Sequence, residues 1–394
     1  MLKRFIRVAI PLCVAIVLLS ALSIKTIEAK AAPSSGKGLQ NRFSPNACGW
    51  SVVPSPNGNS SSGLSAVAAV SANDIWAVGS SGSQMGSGQT VIENWDGTQW
   101  SLVQSPSTGS LYNTLTGVAV VSASDAWAVG WQANGGPSQT LIEHWNGTQW
   151  SVVPSPSPAS VNNELFGVAA VSATDVWAVG FTQNNTATGP VEPTLTEHWN
   201  GTQWSVVKSS SPGSQANNLT SVAAVSANDV WAVGFYANSS TWQTLTEHWN
   251  GTQWSIVQSP SPGSQINYFA SVATVSTNDA WAVGYADNQT LTEQWNGTQW
   301  SVVKSAGPGS VSNSLLGVTV VSANNVWVVG YYQNSDFAGH PLTEHWNGTK
   351  WSVVKSPSPG SSSTQLEGVA AVSATDVWAV GHADSNTLIE QYHC

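Results

Sequence analysis

Apolar residues along this chain come in short bursts, four or five at a time, cut by polar residues at regular intervals. Val168-Ala169-Ala170-Val171 is followed by Ser-Ala-Thr-Asp and then by Val176-Trp177-Ala178-Val179-Gly180. After a variable polar stretch come Leu195 to Trp199, Asn200-Gly201, and Gln203 to Val207. The bursts are rich in Val, Thr and Trp, which suit a pleated surface, and none shows helical spacing. Each therefore predicts a strand, four per unit. Ser-Ala-Thr-Asp joins the first pair, and Asn-Gly, a strong two-residue type I′ hairpin signal, joins the second.

The unit recurs. The tryptophan of Asp74-Ile75-Trp76-Ala77-Val78-Gly79 returns as Trp127, Trp177, Trp231, Trp281, Trp327 and Trp378, at intervals of 46 to 54 residues. A second signature, Glu143-His144-Trp145-Asn146-Gly147-Thr148-Gln149-Trp150, returns around Trp95, Trp199, Trp249, Trp295 and Trp346. Seven units of four antiparallel strands predict an all-β fold, a seven-bladed β-propeller. A β-solenoid is the alternative, but it has a shorter period and lacks the alternation of tight hairpins with long connections. These repeats resemble those of secreted bacterial propeller proteins carrying Ser-Ala-x-Asp-Val-Trp-Ala-Val-Gly and His-Trp-Asn-Gly-Thr-x-Trp. The resemblance covers residues 48–394 and implies the fold and export. The design is more loosely similar to kelch, Asp-box and tectonin-type propellers, although the double glycine of kelch and the Asp-box motif are absent.

The two tails complete each other. The seventh unit breaks off at Glu390-Gln391-Tyr392-His393-Cys394, where the pattern calls for a hairpin and a fourth strand. Cys48-Gly49-Trp50-Ser51-Val52-Val53 matches the missing piece, Thr148-Gln149-Trp150-Ser151-Val152-Val153. The last blade is thus expected to combine three C-terminal strands with one N-terminal strand. Cys48 and Cys394 then fall on neighbouring hairpin positions and are expected to form a disulfide, the alternative being two unrelated thiols. For so long a loop the chain-entropy value is on the order of 5–6 kcal/mol.

The N-terminus has a different character. Lys3, Arg4 and Arg7 precede an apolar run from Val8 to Ile24, and Ala29-Lys30-Ala31 offers a small-x-small cleavage site. Residues 1–31 are read as a secretory signal peptide, with an uncleaved anchor as the alternative. Cys13 follows Leu12, where a lipoprotein site wants a small residue, so lipidation is not expected. Residues 32–47 read as a flexible leader. Cleavage takes Lys3, Arg4, Arg7, Lys25, Lys30 and Glu28 from the chain's 11 basic and 21 acidic side chains, leaving 6 against 20. Such a surface repels phosphate backbones and anionic lipid, so neither nucleic acid nor, after cleavage, membrane is expected as a partner. A monomer is expected.

Candidate chemistry is sparse. The repeated glutamates Glu93, Glu143, Glu197, Glu247, Glu293, Glu344 and Glu390 lie on a wide ring and cannot converge, so each is read as a local acceptor between blades. The same geometry removes His144, His198, His248 and His345 as a metal cluster, and no cofactor or metal is expected. The repeated tryptophans are read as core rather than sugar-stacking platforms. First-strand residues such as Ala68, Ala119, Ala169, Ala223, Ala273, Thr319 and Ala370 are expected nearest the axis, with Glu164 and Glu367 the closest acids. G-x-S-x-G and H-E-x-x-H are absent from the chain, and Arg42 is the one arginine outside the signal segment.

Variable loops on one face are the expected binding surface of a non-enzymatic module. Two rings stand out there. Trp131, Phe181, Phe235, Tyr285 and Tyr331 follow the strand-two glycine, with Ser80 and His382 in the remaining units. Asn113, Asn163, Asn217, Asn267 and Asn313 each precede the first-strand Leu or Phe by two residues. Rings beside neutral amides fit a carbohydrate ligand, the favoured partner. The alternatives are a cell-surface protein on an interaction scaffold and, behind it, a polysaccharide hydrolase or lyase. The bland reading, which carries more weight than the ligand reading, is that the aromatics pack between blades and the amides cap loops. N-terminal sequencing or intact mass of the exported protein should place its first residue at Ala32; a retained Met1 would identify the segment as an anchor.

Overall fold

The computed structural model describes residues 48–56, 61–82, 88–187 and 189–394; the signal and leader segments lie outside them. Among the described residues there is no helix long and apolar enough to cross a membrane. Seven antiparallel sheets, each built on four strands, make up the fold. Blade 2 is representative: Tyr112–Ser122 is innermost, followed outward by Asp125–Ala133, Gln139–Trp145 and Trp150–Val152. Blade 3 carries an additional short strand, Gly189–Val191, beside its second strand. The outermost strands are only three or four residues long, which leaves little free edge for unwanted pairing.

Both faces of every sheet are apolar, so the core lies between blades rather than within one. Trp76 of blade 1 packs on Trp145 and edge-on to Trp150 of blade 2, with ring centroids 4.9 and 5.3 Å apart. Trp177 meets Trp249 and Trp254 of blade 4 in the same way, at 4.8 and 5.2 Å. All seven seams repeat this three-ring wedge. Each buried indole contributes up to about 4–6 kcal/mol. The third-strand indoles also donate to the neighbouring turn, as Trp145 Nε1 does to the Ala123 carbonyl at 3.1 Å.

Blade 7 is composite. Its sheet runs from Thr364–Ser373 through Asp376–Ala383 and Asn386–His393 to Gly49–Val52. Trp50 sits opposite Tyr392, and the pair closes the wedge around Trp327 of blade 6 at 5.6 and 4.5 Å. A Cys48–Cys394 disulfide joins the two tails.

The third-to-fourth hairpin departs from the type I′ expectation. Trp145 and Trp150 pair, leaving four residues in the loop, and only Gly147 takes a positive φ, of 90°. Asn146 instead uses its side chain: Oδ1 accepts from Thr148 N, Thr148 Oγ1 and Gln149 N at 3.0, 2.7 and 3.0 Å. Asp96 makes the same bonds in blade 1. The side chain replaces the backbone turn that a two-residue loop would need.

Each inner strand also carries a bulge one turn of the pleat from its start, between Leu64 and Ala66 in blade 1 and between Leu366 and Gly368 in blade 7. The strand-two glycine sits against it: a Cβ on Gly234 would lie 1.9 Å from the Asn218 carbonyl oxygen, so no larger residue fits.

The seven repeated glutamates are fully buried at the seams. Glu93 accepts from Ser55 Oγ and Glu143 from Ser105 Oγ, each donor coming from the connection that leaves the preceding blade. Glu247 and Glu344 accept from the backbone N–H of Ser210 and Ala306 at 3.0 and 3.1 Å. Neither carboxyl oxygen of Glu197 or Glu293 has a hydrogen-bond partner among the described residues. Burial raises the carboxyl pKa from the ordinary 4.5 to about 7 for Glu93, Glu143, Glu247, Glu344 and Glu390, to about 8 for Glu197 and to about 9 for Glu293.

Above pH 4.5 the unfolded chain loses protons that the folded seams retain. The folded state then binds more protons, so stability falls as pH rises from 4.5 to between 7 and 9 and levels off beyond. Thermal melting should therefore be highest at mildly acidic pH. Glu293→Gln should raise the melting temperature at pH 8 by on the order of 2–6 °C and leave it nearly unchanged at pH 4.5; equal shifts at both values would show that ionisation is not what the seam resists. Reduction of the Cys48–Cys394 bond should cost on the order of 2–5 kcal/mol, read as a lower melting temperature in reductant; an unchanged value would show that the tails hold without it.

Candidate functional site

Tight turns gather on one face of the ring, while the second-to-third loops and the connections between blades occupy the other. On this loop face the strand-two aromatics divide into two groups. Phe181 and Phe235 are buried, and Trp131, Tyr285 and Tyr331 are half-buried. Phe181 stacks on Phe166 at 5.8 Å, and Trp131 leans on Tyr112 at 6.3 Å. Tyr331 pairs across the sheet with Ser314 and Pro341.

Blades 4 and 5 hold a longer run. Trp242 lies parallel to Phe235 at 4.4 Å, Phe235 meets Tyr268 at 5.2 Å, and Tyr268 stacks on Tyr285 at 5.1 Å. Trp242, in the third strand of blade 4, and Tyr268, in the inner strand of blade 5, were not among the sequence-derived candidates. A signal was present: removing the seam sets from the chain's 22 tryptophans leaves only Trp131 and Trp242. Both belong to this face, and both are half-buried. Phe337, in the corresponding loop of blade 6, is 70% exposed and holds a φ of 57°.

The asparagine ring takes the structural one of its two readings, with the amides capping loops. Asn113, Asn163, Asn217, Asn267 and Asn313 are all at most 3% exposed and lie inside the inner strands. Asn217 Oδ1 accepts from Gly213 N, while Nδ2 donates to the Gly213 and Glu192 carbonyls at 3.0 Å. Asn267 bonds Gly263 and the Trp242 carbonyl in the same pattern. Each amide thus ties the incoming connection to the preceding blade's loop, with no donor turned towards a ligand.

The axis also differs from expectation. A cavity of about 180 Å³ is lined by the bulge residues Ser65, Thr116, Phe166, Thr220, Ala270, Leu316 and Glu367 and their neighbours. Ala68 and its equivalents, three residues further on, pair opposite the strand-two tryptophans and pack into the seams. The unpaired bulge residue, rather than the residue opposite the tryptophan, is the one that reaches the axis.

Glu367 is the one acid on the channel wall. Glu164 is buried elsewhere, accepting from Ser138 Oγ at 3.3 Å. Burial raises its pKa to about 7, the Ser138 bond opposes this, and nearby Glu192 adds repulsion. Two acids therefore do not meet in a common channel site.

On the turn face His144, His198 and His248 bond Asp125, Asp175 and Asp229 at 2.8–2.9 Å. Blade 6 pairs His345 with Asn325, and blades 1, 5 and 7 use Asn94, Gln294 and Gln391 as donors to the aspartate. Any donor satisfies the position, so its role is to hold the start of strand two. Among the described residues no three His, Cys, Asp or Glu side chains converge as a metal site.

No protein-family model matches the chain, and no curated protein matches it in sequence. Solved structures match it in shape. YCF48 bound to D1 peptide is 13% identical, with a TM-score of 0.54 over 89% of this chain and 96% of that one. YCF48 from Cyanidioschyzon merolae is 14% identical, with the same score over 88% and 99%. U3-55K is 10% identical, with a TM-score of 0.57 over 88% of this chain and 98% of its own. At these identities the likeness shows the fold alone: the chain is similar to seven-bladed propellers.

Proposed function

We propose that the protein is a non-enzymatic binding scaffold that works outside the cell, with the loop face as its contact surface and a neutral glycan as its ligand. The observation that carries this reading is the position of Trp131 and Trp242. Every other tryptophan belongs to a seam wedge, while these two stand half-buried on the variable face. Exposed Thr241 and Gln243 flank Trp242, and Gln132 follows Trp131, so hydroxyl and amide groups surround each ring. Ring faces edged by neutral polar groups suit the C–H surfaces and hydroxyls of a sugar. Because the five asparagine amides are committed to loops, affinity in this reading rests on the rings. A disulfide across the tails is consistent with an oxidising compartment.

A second reading, a protein-interaction scaffold, is favoured by one comparison: a propeller of the same shape, YCF48, has been solved with a D1 peptide bound.

Polysaccharide pull-down and a glycan array with the folded protein decide between them. Neutral glycans should be retained, and a Trp131→Ala, Trp242→Ala double variant should bind them at least about tenfold more weakly. Its melting temperature should fall much less than that of a seam variant such as Trp76→Ala, since neither ring belongs to a seam wedge and Trp242 only covers the edge cluster around Phe235. Blank glycan assays combined with capture of a peptide ligand by the same face would replace the first reading with the second.

A further inference from the structure

Two departures from the repeat coincide in blade 7. The channel-lining bulge residue is uncharged in six blades and is Glu367 in the seventh. The strand-two position that is aromatic in five blades is His382 here. Their side chains face each other, His382 Nδ1 lying 4.0 Å from Glu367 Oε1, which is too long for a hydrogen bond. Burial holds the imidazole pKa down, with Asp384 opposing, so near neutrality the ring offers no countercharge.

The remaining polar groups of the wall are largely spent. Thr116 Oγ1 donates to the Leu165 carbonyl at 2.8 Å and Thr220 Oγ1 to the Phe269 carbonyl at 2.7 Å, both in the next blade. The Glu367 side chain keeps 23% of its surface open, burial of the rest raises its carboxyl pKa to about 7, and no hydrogen bond to it is seen among the described residues. Leu316 lines the wall beside it on the adjoining blade 6, and Phe166 lines it from blade 3, farther round the ring. Glu367 is only three residues from Thr364, the loop-face end of its strand, so this part of the cavity lies near the mouth on that face. A carboxyl on the wall of a cavity far larger than one water needs, with no protein donor of its own, is free to take a cationic donor in place of water.

We propose that the loop-face mouth of the central channel is a receptor for an organic cation, an ammonium or guanidinium head on an aliphatic stem, with Glu367 as the countercharge and Phe166 and Leu316 as the wall for the stem. A protein lysine or arginine and a free alkylamine share this chemistry. The site is separate from the tryptophan surface and does not depend on its reading.

Calorimetric titration of the whole protein at pH 8, where a carboxyl raised by burial to about 7 is ionised, tests the assignment. The probes are Nα-acetyl-lysine methylamide, its norleucine counterpart, 1,5-diaminopentane and an unstructured peptide with one lysine. The lysine probe should bind saturably, and the norleucine probe at least about tenfold more weakly. The isosteric Glu367→Gln variant should reduce the lysine probe to the norleucine level, while Trp131→Ala, Trp242→Ala leaves it unchanged. Tighter binding of the peptide than of the diamine assigns a protein side chain; the reverse order assigns a small amine. Equal binding of the lysine and norleucine probes, no binding of either, or undiminished binding to Glu367→Gln would overturn the proposal, and the two wild-type outcomes require no variant to fold.

Discussion

The wedge of three aromatic rings at each seam is the contact on which the rest of the molecule depends. A single blade has apolar side chains on both faces and an outermost strand of three or four residues, so alone it would leave most of its tryptophan surface in water. Only when seven blades stand face to face does every strand-two indole find the two rings of the next blade. The wedge therefore makes the ring an all-or-none object, and it explains why the tails must meet. Without Trp50 from the N-terminal strand, Trp327 would lack one wall of its pocket, and the seams on either side would open to solvent.

The same seams bury a carboxyl each, which looks costly beside so much indole. Its position explains it. The glutamate receives a hydroxyl or backbone N–H from the connection leaving the preceding blade, and so ties chain continuity to face-to-face packing. Where no donor reaches it, as at Glu197 and Glu293, the pKa rises furthest. A neutral buried acid costs far less than a buried charge, so the ring accommodates the seven best below about pH 7, where they hold their protons. The exposed loop acids behave in the opposite way: Asp287 collects three backbone N–H groups from Ser264, Gln265 and Ile266, and its pKa is drawn down to about 2. The fold thus separates acids into seam groups that favour the proton and loop groups that reject it.

The repeat, its seven units and the tryptophan core were legible because tandem copies give seven readings of one strand pattern. The strand shared by the tails was readable for the same reason, since the missing piece of one copy can be matched against six others. Direction within a strand was harder. Asn217 and its counterparts stand at loop-face ends where an amide can point outward or back into the connection. The choice depends on Gly213 and its equivalents coming close enough to accept and donate, a contact between segments that spacing does not reveal. The channel was misassigned for a simpler reason. Ala68 is in register with Trp76 and so faces a seam, and the unpaired bulge residue Ser65 reaches the cavity instead, which spacing along one strand does not reveal. The hairpin failed at the level of side-chain chemistry, because Asn-Gly predicts a backbone turn and Asn146 makes a side-chain turn instead.

A repeat of this regularity also changes what counts as evidence for function. A residue present in all seven copies has a structural task in every blade, as interchangeable donors opposite the strand-two aspartate show: histidine, asparagine and glutamine all serve. Selection for a ligand acts on one place in the ring and therefore has to break the pattern there. The residues that do so are few. Trp131 and Trp242 lie outside the seam sets, Phe337 is exposed at a backbone angle that bulky residues avoid, and Glu367 and His382 occur together in one blade. All belong to the loop face or to the part of the channel near it, where backbone length also varies. The turn face, where hairpins are nearly identical from blade to blade, offers a partner nothing that distinguishes one blade from the next. Departure from the repeat, more than its content, is therefore the signal on which the proposed contact surface rests.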